Sequence, residues 1–278
     1  MNDIKLTVLV ENTARGAGTL AEHGLSFWIE TRDQNILFDT GQTSVVLHNA
    51  AQLDVDLATA DRIVLSHGHY DHTGGLTTVL PRTGTVPVHA HVDALTEKYA
   101  ENDDGSSRPV GMPPKCRDML AATAGNVPIE APTEIPGGLY LTGPIPRNTP
   151  FETTGGSFFA DPAGRLQDDL QDDQAAVVDT RDGLVVILGC AHAGVINTLR
   201  YVAHLMPDRP IHTVIGGMHL GKATAERIRR TVASFRELEV ENFYPLHCTG
   251  FHATARLWNE FPGRVATCPV GTQLSWRG

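Results

Sequence analysis

The sequence predicts an α/β fold in which two mixed β-sheets lie face to face and helices cover their outer surfaces. One β-hairpin is indicated at residues 27–38 and another within residues 175–192, so the two halves of the chain have similar patterns of elements. After each hairpin, short apolar runs of strand length alternate with longer segments of helical periodicity. Two sheets that bury one face against each other, with helices outside, form a stable layer arrangement for this pattern.

The first half begins with short strands and leads to a histidine-rich loop. The run Leu6–Val10 predicts a strand, and "TRDQN" predicts a turn between Phe27–Glu30 and the strand "ILFDTG" at residues 36–41. A helix is predicted from about Thr43 to Leu53, and "DRIVLSH" then predicts a buried strand. A helical turn and the strand "VPVHAHV" follow between Thr77 and Leu95.

Residues 101–136 interrupt this alternation with a segment rich in Gly, Pro and charge. A long irregular segment inside a compact chain is more often a functional loop than a linker between domains. We therefore expect one domain over residues 1–278, with an insertion or cap around residues 101–136.

The second half repeats the pattern. The strand "GGLYLTG" is predicted at residues 137–143, and "TRDG" predicts the turn of a hairpin inside "AAVVDTRDGLVVILGCAH". Alternating elements follow: a helix at Ile196–Leu205, the strand "IHTVIGG", a helix at Ala223–Leu238 and the strand "NFYPLHCTG".

Charge and composition exclude several classes of function. The net charge is −10, and no cluster of Lys and Arg forms a stripe for a nucleic-acid backbone. The four cysteines stand far apart without a CxxC pair, so no disulfide framework is indicated. The first apolar stretch is too short for a signal sequence and no run has membrane-spanning length. We expect a cytoplasmic protein without a nucleic-acid or membrane partner.

The loop "LSHGHYDHTGGL", residues 65–76, concentrates metal-binding side chains directly after a predicted strand. Across Gly68, the imidazoles of His67 and His69 can share one metal ion, while Asp71 and His72 point to a second position nearby. Imidazole nitrogen with a carboxylate oxygen suits zinc, and also manganese or iron. A surface role for four such side chains at this spacing is the weaker alternative.

More ligands are expected from the ends of later strands. His192 in "LGCAHAG" and His247 in "YPLHCTG" each follow an apolar strand and precede Gly within three residues. Such positions lie at the mouth of a sheet, where ligands bind. The alternative for both is a hydrogen-bonded structural histidine.

These motifs resemble the metallo-β-lactamase superfamily, whose fold is a four-layer αββα sandwich. The words "FDTG", "SHGHYDHTGGL", "TGPIPR", "DDQA", "GCAHAGVINT", "GGMHL" and "LHCTG" look like a narrower branch of it. That branch contains dihydropterin ribofuranosylaminobenzene phosphate synthases and metal-dependent hydrolases.

The resemblance implies two divalent metal ions, with zinc expected and manganese or iron as alternatives. His67, His69 and His192 would hold the first ion, and Asp71, His72 and His247 the second. Many members have a bridging Asp where this chain has Cys190. Cys190 is then either a thiolate ligand or a small core residue, and the site lacks a protein bridge in the second case.

Several further polar residues have alternative interpretations. His219 in "GGMHL" could bind substrate, orient a ligand or cap a helix. Asp39 in "ILFDTG" could accept a hydrogen bond from a ligand imidazole or serve a turn. Arg147 could bind a substrate anion or pair with a carboxylate. We expect "DDLQDD" at residues 168–173 to be a solvated turn, and the two histidines of "VHAHV" to be structural.

The predicted function is a hydrolase that uses a metal-bridged hydroxide on a small anionic ester, lactone or phosphoester. No GxSxG elbow is present, so a serine nucleophile is not indicated. Asp71 and His219 are the expected catalytic residues, with His219 or a metal-bound water serving the leaving group.

Two other functions stay open at this point. The branch resemblance implies a synthase-like transferase that joins a dihydropterin to an aminobenzene ribofuranosyl phosphate. A non-hydrolytic metal sensor or redox module is a third possibility, although the flavin-partnered members of the superfamily have Glu where this loop keeps His69. The expected partner is a small-molecule substrate, and a homo-oligomer is allowed.

Overall fold

The elements of the fold are given by a computed structural model, which describes residues 3–122 and 125–278. Its strands are β1 (Ile4–Val10), β2 (Ser26–Thr31), β3 (Asn35–Phe38), β4 (Arg62–Val64), β5 (Val88–Ala90), β6 (Tyr99–Glu101), β7 (Ser107–Pro109), β8 (Asn126–Pro128), β9 (Thr133–Ile135), β10 (Leu139–Leu141), β11 (Phe158–Phe159), β12 (Ala175–Thr180), β13 (Gly183–Leu188), β14 (Ile211–Gly217), β15 (Asn242–Leu246) and β16 (Gln273–Trp276). Its helices are α1 (Val45–Gln52), α2 (Tyr70–Thr73), α3 (Leu76–Thr83), α4 (Pro114–Ala122), α5 (Val195–Leu205), α6 (Ala225–Glu237) and α7 (Phe251–Glu260).

The strands form two mixed sheets and one small sheet. The first large sheet has the order β16-β1-β2-β3-β4-β5-β8, the second has the order β15-β14-β13-β12-β10-β9, and the small sheet has the order β11-β6-β7. Both predicted hairpins are confirmed: β2 pairs with β3 and β12 pairs with β13, each antiparallel. The remaining pairs within residues 62–90 and 183–246 are parallel, because helices carry the chain back between them.

Side-chain alternation in the strands divides the core into three layers of apolar packing. In β2, Phe27 and Ile29 face the second sheet, whereas Trp28 faces α1 and α3. In β13, Val185 and Ile187 likewise face the first sheet, and their neighbours pack under α5, α6 and α7. Since both sheets are covered on both faces, the layer order is helix, sheet, sheet, helix, which confirms the predicted αββα sandwich.

The carboxyl ends of the parallel strands meet at one edge of the sandwich. The first sheet contributes the loops that follow β3 and β4, and the second contributes the loops after β13, β14 and β15. Each of these loops begins with residues that the sequence indicates as candidates for the site. The topology therefore brings segments separated by more than a hundred residues to one place.

The segment at residues 101–136 contributes to all three sheets. Its beginning forms the hairpin of β6 and β7 in the small sheet, whereas β8 joins the edge of the first large sheet and β9 joins the edge of the second. Cys116 and Leu120 of α4 are buried in the core under the first sheet. Of the described residues in this segment, those of the β6–β7 hairpin and beside it line the cavity of the site. A single domain over the whole chain stays a prediction.

Among residues 3–122 and 125–278, none of the helices combines the length and the apolar composition needed to cross a bilayer.

Candidate metal centre

The loop after β4 carries four of the predicted ligands, and its backbone explains their directions. His69 has an extended backbone and precedes the short helix α2, which places Asp71 and His72 on the first helical turn. A side chain at Gly68 would overlap the backbone carbonyl of Ala94, so this position needs glycine. The tight packing fixes His67 and His69 on either side of that glycine.

The first group of donors consists of His67, His69 and His192. One ring nitrogen of each lies within 4.8 Å of the others, and His192 Nε2 is 3.1 Å from His69 Nδ1. All three rings are buried, with exposed fractions of 6% or less. The structure thus brings together the three residues assigned to the first metal by resemblance.

The second group consists of Asp71, His72 and His247. Asp71 Oδ2 lies 3.2 Å from His247 Nε2 and 3.9 Å from His72 Nε2, and the two imidazole nitrogens are 3.3 Å apart. Spacings of this size are typical of donors around one small cation. These residues also meet as the resemblance implies, and their role as ligands stays a prediction.

Two thiols adjoin the second group. Cys190 Sγ is 3.1 Å from His72 Nε2, and Cys190, Cys248 and His247 form a further cluster of possible ligand atoms within 4.8 Å. Burial and the adjacent Cys248 raise the pKa of the Cys190 thiol well above its ordinary value, so a bound cation would be needed to hold it as thiolate. Sequence reasoning missed Cys248, although it directly follows His247 in "LHCTG".

His23 is a second residue that sequence reasoning missed. Its Nε2 lies 3.1 Å from Asp71 Oδ2, although the His23 side chain is 56% exposed. It comes from the loop between β1 and β2, where no periodicity or motif marks it. Only the fold brings this loop to the site.

Hydrogen bonds on the far side of the imidazoles fix which nitrogen is free. His72 Nδ1 donates to the Asp39 carboxylate at 2.7 Å, and His247 Nδ1 donates to the side-chain oxygen of Asn12 at 2.8 Å. His192 Nδ1 donates to the Thr154 carbonyl at 2.9 Å. With these protons placed on Nδ1, the Nε2 lone pairs point inward. Asp39 thus has the contact predicted for it.

The same reasoning applies to His67. Ser66 Oγ donates to Asp39 Oδ2 at 2.7 Å, so the 2.9 Å contact between Ser66 Oγ and His67 Nδ1 has the imidazole as donor. Within the described residues, His67 Nε2 and His69 Nε2 are buried without a hydrogen-bond partner. Buried nitrogens normally have partners, and a cation would supply one.

The electrostatics of the cluster favour a positive charge at its centre. Burial opposes a charged His72, but the Asp39 and Asp71 carboxylates outweigh it and raise the pKa of His72 to about 9. By contrast, burial and the neighbouring imidazoles lower the pKa of His67 and of His192 well below the ordinary value. Burial also lowers the pKa of His69 to about 3. The cluster thus combines neutral imidazoles, whose lone pairs can bind a metal, with carboxylates that stabilise positive charge at His72. Both properties fit a divalent cation at its centre.

The acidic stretch at residues 168–173 is solvated only in part, which corrects the sequence-based prediction: Asp169 and Gln171 are exposed, but its last two residues are buried. Asp172 and Asp173 are each 1% exposed. Asp172 Oδ2 accepts a hydrogen bond from the Gly68 amide at 2.7 Å, and Asp172 Oδ1 lies 3.0 Å from the buried Lys98 ammonium. Asp173 accepts from the Ala193 amide at 2.8 Å. Through these bonds the two side chains contact both the loop of His67 and His69 and the loop of His192. Buried carboxylates require such partners.

The contacts of Arg147, His89 and His91 decide between the alternatives that the sequence left open for them. Among the described residues Arg147 pairs with no carboxylate; it donates to the carbonyls of His192, Asp169 and Leu170. His89 contacts Arg62 Nη1 at 3.2 Å, and His91 accepts a hydrogen bond from the Asp93 amide. Both histidines of "VHAHV" are structural, as the sequence predicts.

The cluster opens onto a cavity of about 750 Å³. His219 lies on its wall, with its ring centroid 4.3 Å from that of His192. Phe158 also lines the cavity, and its ring centroid is 5.1 Å from those of both His69 and His192. Burial, with smaller contributions from neighbouring imidazoles, lowers the pKa of His219 to about 3. His219 is therefore a neutral imidazole facing the cavity.

A helix-covered β-sandwich with a histidine-rich loop at one edge is the fold of metal-dependent hydrolases. The chain belongs to the metallo-beta-lactamase superfamily, whose sequence profile matches residues 20–200. This confirms the resemblance seen in the sequence motifs.

Individual relatives cover most of the chain. An uncharacterised protein of Methanocaldococcus jannaschii, MJ0448, is 34% identical over 91% of this chain and 93% of its own length. The 7,8-dihydropterin-6-methyl-4-(beta-D-ribofuranosyl)-aminobenzene-5'-phosphate synthase of the same organism is 28% identical over 94% of this chain and 92% of its own. The solved structure of Tm1679, described as a metal-dependent hydrolase of the beta-lactamase superfamily, has a TM-score of 0.83 at 33% identity and covers 99% of this chain and 100% of that one.

Proposed function

We propose that the protein is a metal-dependent hydrolase that acts on a small anionic ester, lactone or phosphoester. It would use two divalent cations, and zinc is the expected metal. The convergence of imidazole lone pairs, one carboxylate and a thiol at the mouth of a cavity carries this proposal. Manganese and iron suit the nitrogen and oxygen donors too, whereas Cys190 beside His72 favours zinc among the three.

The proposed ligands divide into the two groups described above. His67, His69 and His192 would hold one cation, and Asp71, His72 and His247 the other, with Cys190 as a further donor to the second. When bound, such cations polarise a carbonyl or phosphoryl oxygen and make water a nucleophile at neutral pH. Asp39, Asn12 and Thr154 keep the three imidazoles that they contact in the tautomer that leaves Nε2 free.

Within the cavity, we assign Asp71 and His219 to catalysis. Burial opposes a charged Asp71 and would raise its pKa. His72 and the contacting His23 and His247 outweigh burial, so the pKa of Asp71 lies well below its ordinary value. Asp71 is therefore a carboxylate at neutral pH. His219, being neutral, can donate a hydrogen bond to a leaving-group oxygen from one ring nitrogen.

The cavity size supports a small-molecule substrate. A volume of about 750 Å³ lies in the range of pockets that bind metabolites. The described residues that line the cavity include the exposed cations Arg108 and Lys222, together with the acidic residues Glu101 and Asp103. The two cations can pair with an anionic group of a substrate, although the chain as a whole is acidic.

The experiment is a hydrolysis screen with zinc-, manganese- and iron-loaded protein against aryl esters, lactones and aryl phosphodiesters. We expect turnover that stops on removal of the metal and falls at least 100-fold in His69→Ala and Asp71→Ala. His252→Ala, which changes an exposed histidine on α7, is the matched control and keeps wild-type rates. Wild-type activity in His69→Ala, or activity in fully metal-free protein, would refute the proposal.

A second candidate is a synthase-like transferase, favoured by the similarity to the pterin synthase over 94% of this chain. A transferase would consume a dihydropterin substrate only when the aminobenzene acceptor is present, whereas a hydrolase needs water alone. Measuring pterin consumption with and without the amine separates the two. Amine-dependent consumption without ester hydrolysis would replace the first proposal by the second.

A further inference from the structure

The small sheet β11-β6-β7 places three side chains in a row that leads away from the metal centre. Phe158 pairs directly with Ala100, and Ala100 pairs directly with Arg108. Side chains of directly paired residues lie on the same face of an antiparallel sheet. The rings of His69 and His192 contact Phe158, so this face looks into the cavity.

The row changes in chemistry with distance from the histidines. Phe158 offers an aromatic surface, Ala100 offers only a methyl group, and Arg108 offers an exposed guanidinium. Two strand spacings of about 4.8 Å put the outer positions roughly 10 Å apart. Because Ala100 is so small, a slot lies between the aromatic ring and the cation.

Arg108 is available to a ligand. Within the described residues it makes no ion pair, although Glu101 and Asp103 also line the cavity. Glu101 follows Ala100 in β6, so its side chain lies on the opposite face of the sheet. Lys222 is a second cation in the cavity lining, on a segment of the chain separate from the small sheet.

The hairpin that carries Arg108 is attached to the metal-binding loop. The Tyr70 amide donates to the Val110 carbonyl at 2.9 Å, and His69 and Gly111 form an antiparallel bridge. On the other side, the Glu101 amide donates to the Ser157 carbonyl at 3.1 Å. These bonds fix the row relative to the candidate ligands, as a recognition surface requires.

We propose that Phe158, Ala100 and Arg108 form a subsite for a substrate with a flat ring that carries a carboxylate or phosphate on the side away from the cleaved bond. The ring lies on Phe158 over Ala100, and the anion pairs with Arg108. The placement of the cleaved bond at the histidines rests on the proposed hydrolase function. Binding of the ring and the anion by the subsite does not require hydrolysis.

The test is calorimetric binding to zinc-loaded protein of three para-substituted phenols: hydroxybenzoate, the uncharged and non-hydrolysable hydroxyacetophenone, and hydroxyphenylphosphonate. Arg108→Gln should raise the Kd of both anions about tenfold or more, since a charge-assisted hydrogen bond is lost, and should leave that of the ketone unchanged. Ala100→Leu fills the slot and should weaken all three. Arg165→Gln, at a position whose side chain is 84% exposed, is the matched control and should weaken none.

The two arms of the test identify the anion. A larger effect of Arg108→Gln on the phosphonate than on the carboxylate assigns the subsite to phosphate, and the reverse assigns it to carboxylate. Equal binding of anions by Arg108→Gln and wild type, or no saturable binding of any ring by wild type, would overturn the subsite. Binding with the expected pattern but without ester hydrolysis would keep the subsite and refute the hydrolase.

Discussion

Replacing Asp39 by Asn tests the hydrogen bonds that orient the candidate ligands. Asp39 is completely buried and accepts three hydrogen bonds of 2.7 Å, from His72 Nδ1, Ser66 Oγ and the Ser66 amide. Asn has nearly the same shape, but one of its terminal atoms is a donor. In either orientation the amide nitrogen faces at least one N–H or O–H, so at least one hydrogen bond is lost.

The expected loss of metal affinity follows from this geometry. A hydrogen bond to a charged group contributes about 1.5–3 kcal/mol. Removal of a partner behind a metal-binding imidazole typically lowers affinity about 10–100-fold, or roughly 1.4–2.7 kcal/mol. We expect Asp39→Asn to raise the zinc Kd within this range, chiefly for the ion held by His72.

The assay is a zinc titration in competition with a chromophoric chelator, on metal-free protein checked by circular dichroism. Asp179→Asn is the matched control, because Asp179 pairs with Arg209 at a partly exposed position in β12, away from the cluster. The control should bind zinc like the wild type. A folded Asp39→Asn protein with wild-type zinc Kd values would refute the argument that Asp39 orients His72 for a metal.

Three further predictions concern stability and catalysis. Burial and Arg62 lower the pKa of His89 to about 4, below its unfolded value of 6.5. His89 should therefore contribute up to about 3 kcal/mol to the fall in the free energy of unfolding as pH drops through this window, in addition to the contributions of the other buried histidines. Denaturant titrations of His89→Gln should show a smaller fall than wild type. Lys98→Met removes the cation that pairs with the buried Asp172 carboxylate, which keeps only its hydrogen bond from the Gly68 amide, and should cost about 3–5 kcal/mol in the same assay. Gly155→Ala adds a methyl group that would overlap His219 Nδ1, and kcat/KM should fall about 100-fold.

Each of these predictions has its own control. The pH effect is refuted if His89→Gln loses stability between pH 6.5 and 4 as steeply as wild type. Lys5→Met breaks an exposed pair with Glu30 and should cost at most about 1 kcal/mol; an equal cost for Lys98→Met would contradict the buried-pair argument. Gly164→Ala shares the positive φ of Gly155 without the overlap, so similar kinetics in both variants would exclude displacement of His219.

The sequence predicts the fold well because its signals are local. The hairpins at residues 27–38 and 175–188 depend on short turns between apolar runs, and both are present. The ligand spacing in "HGHYDH" reflects one loop and the first turn of α2. His192 and His247 follow strands whose ends the parallel topology brings to the same edge.

The remaining contacts of the site depend on distant partners. Asp172 is buried because it meets Lys98 and the Gly68 amide, which come from other parts of the chain. Composition alone therefore suggested a solvated acidic turn. His23 and Asn12 enter the site from the irregular loop between β1 and β2, where no pattern distinguishes them from other polar residues.

Arg147 illustrates the same difficulty for a cation. The two terminal nitrogens of its guanidinium donate to three backbone carbonyls rather than to an anion, and carbonyl positions are set by the fold. The residues of the inferred subsite, Ala100 and Arg108, depend on the register of two short strands within a segment whose composition indicated no strands. Such pairings cannot be read from composition or periodicity.

Metal content is the most direct test of the dinuclear site. Protein reconstituted with zinc and dialysed should retain two equivalents per chain by elemental analysis, while His69→Ala and His247→Ala should each retain about one, because each removes a donor from a different group. No retained zinc, manganese or iron in the wild type would contradict the account, as would two equivalents in both variants.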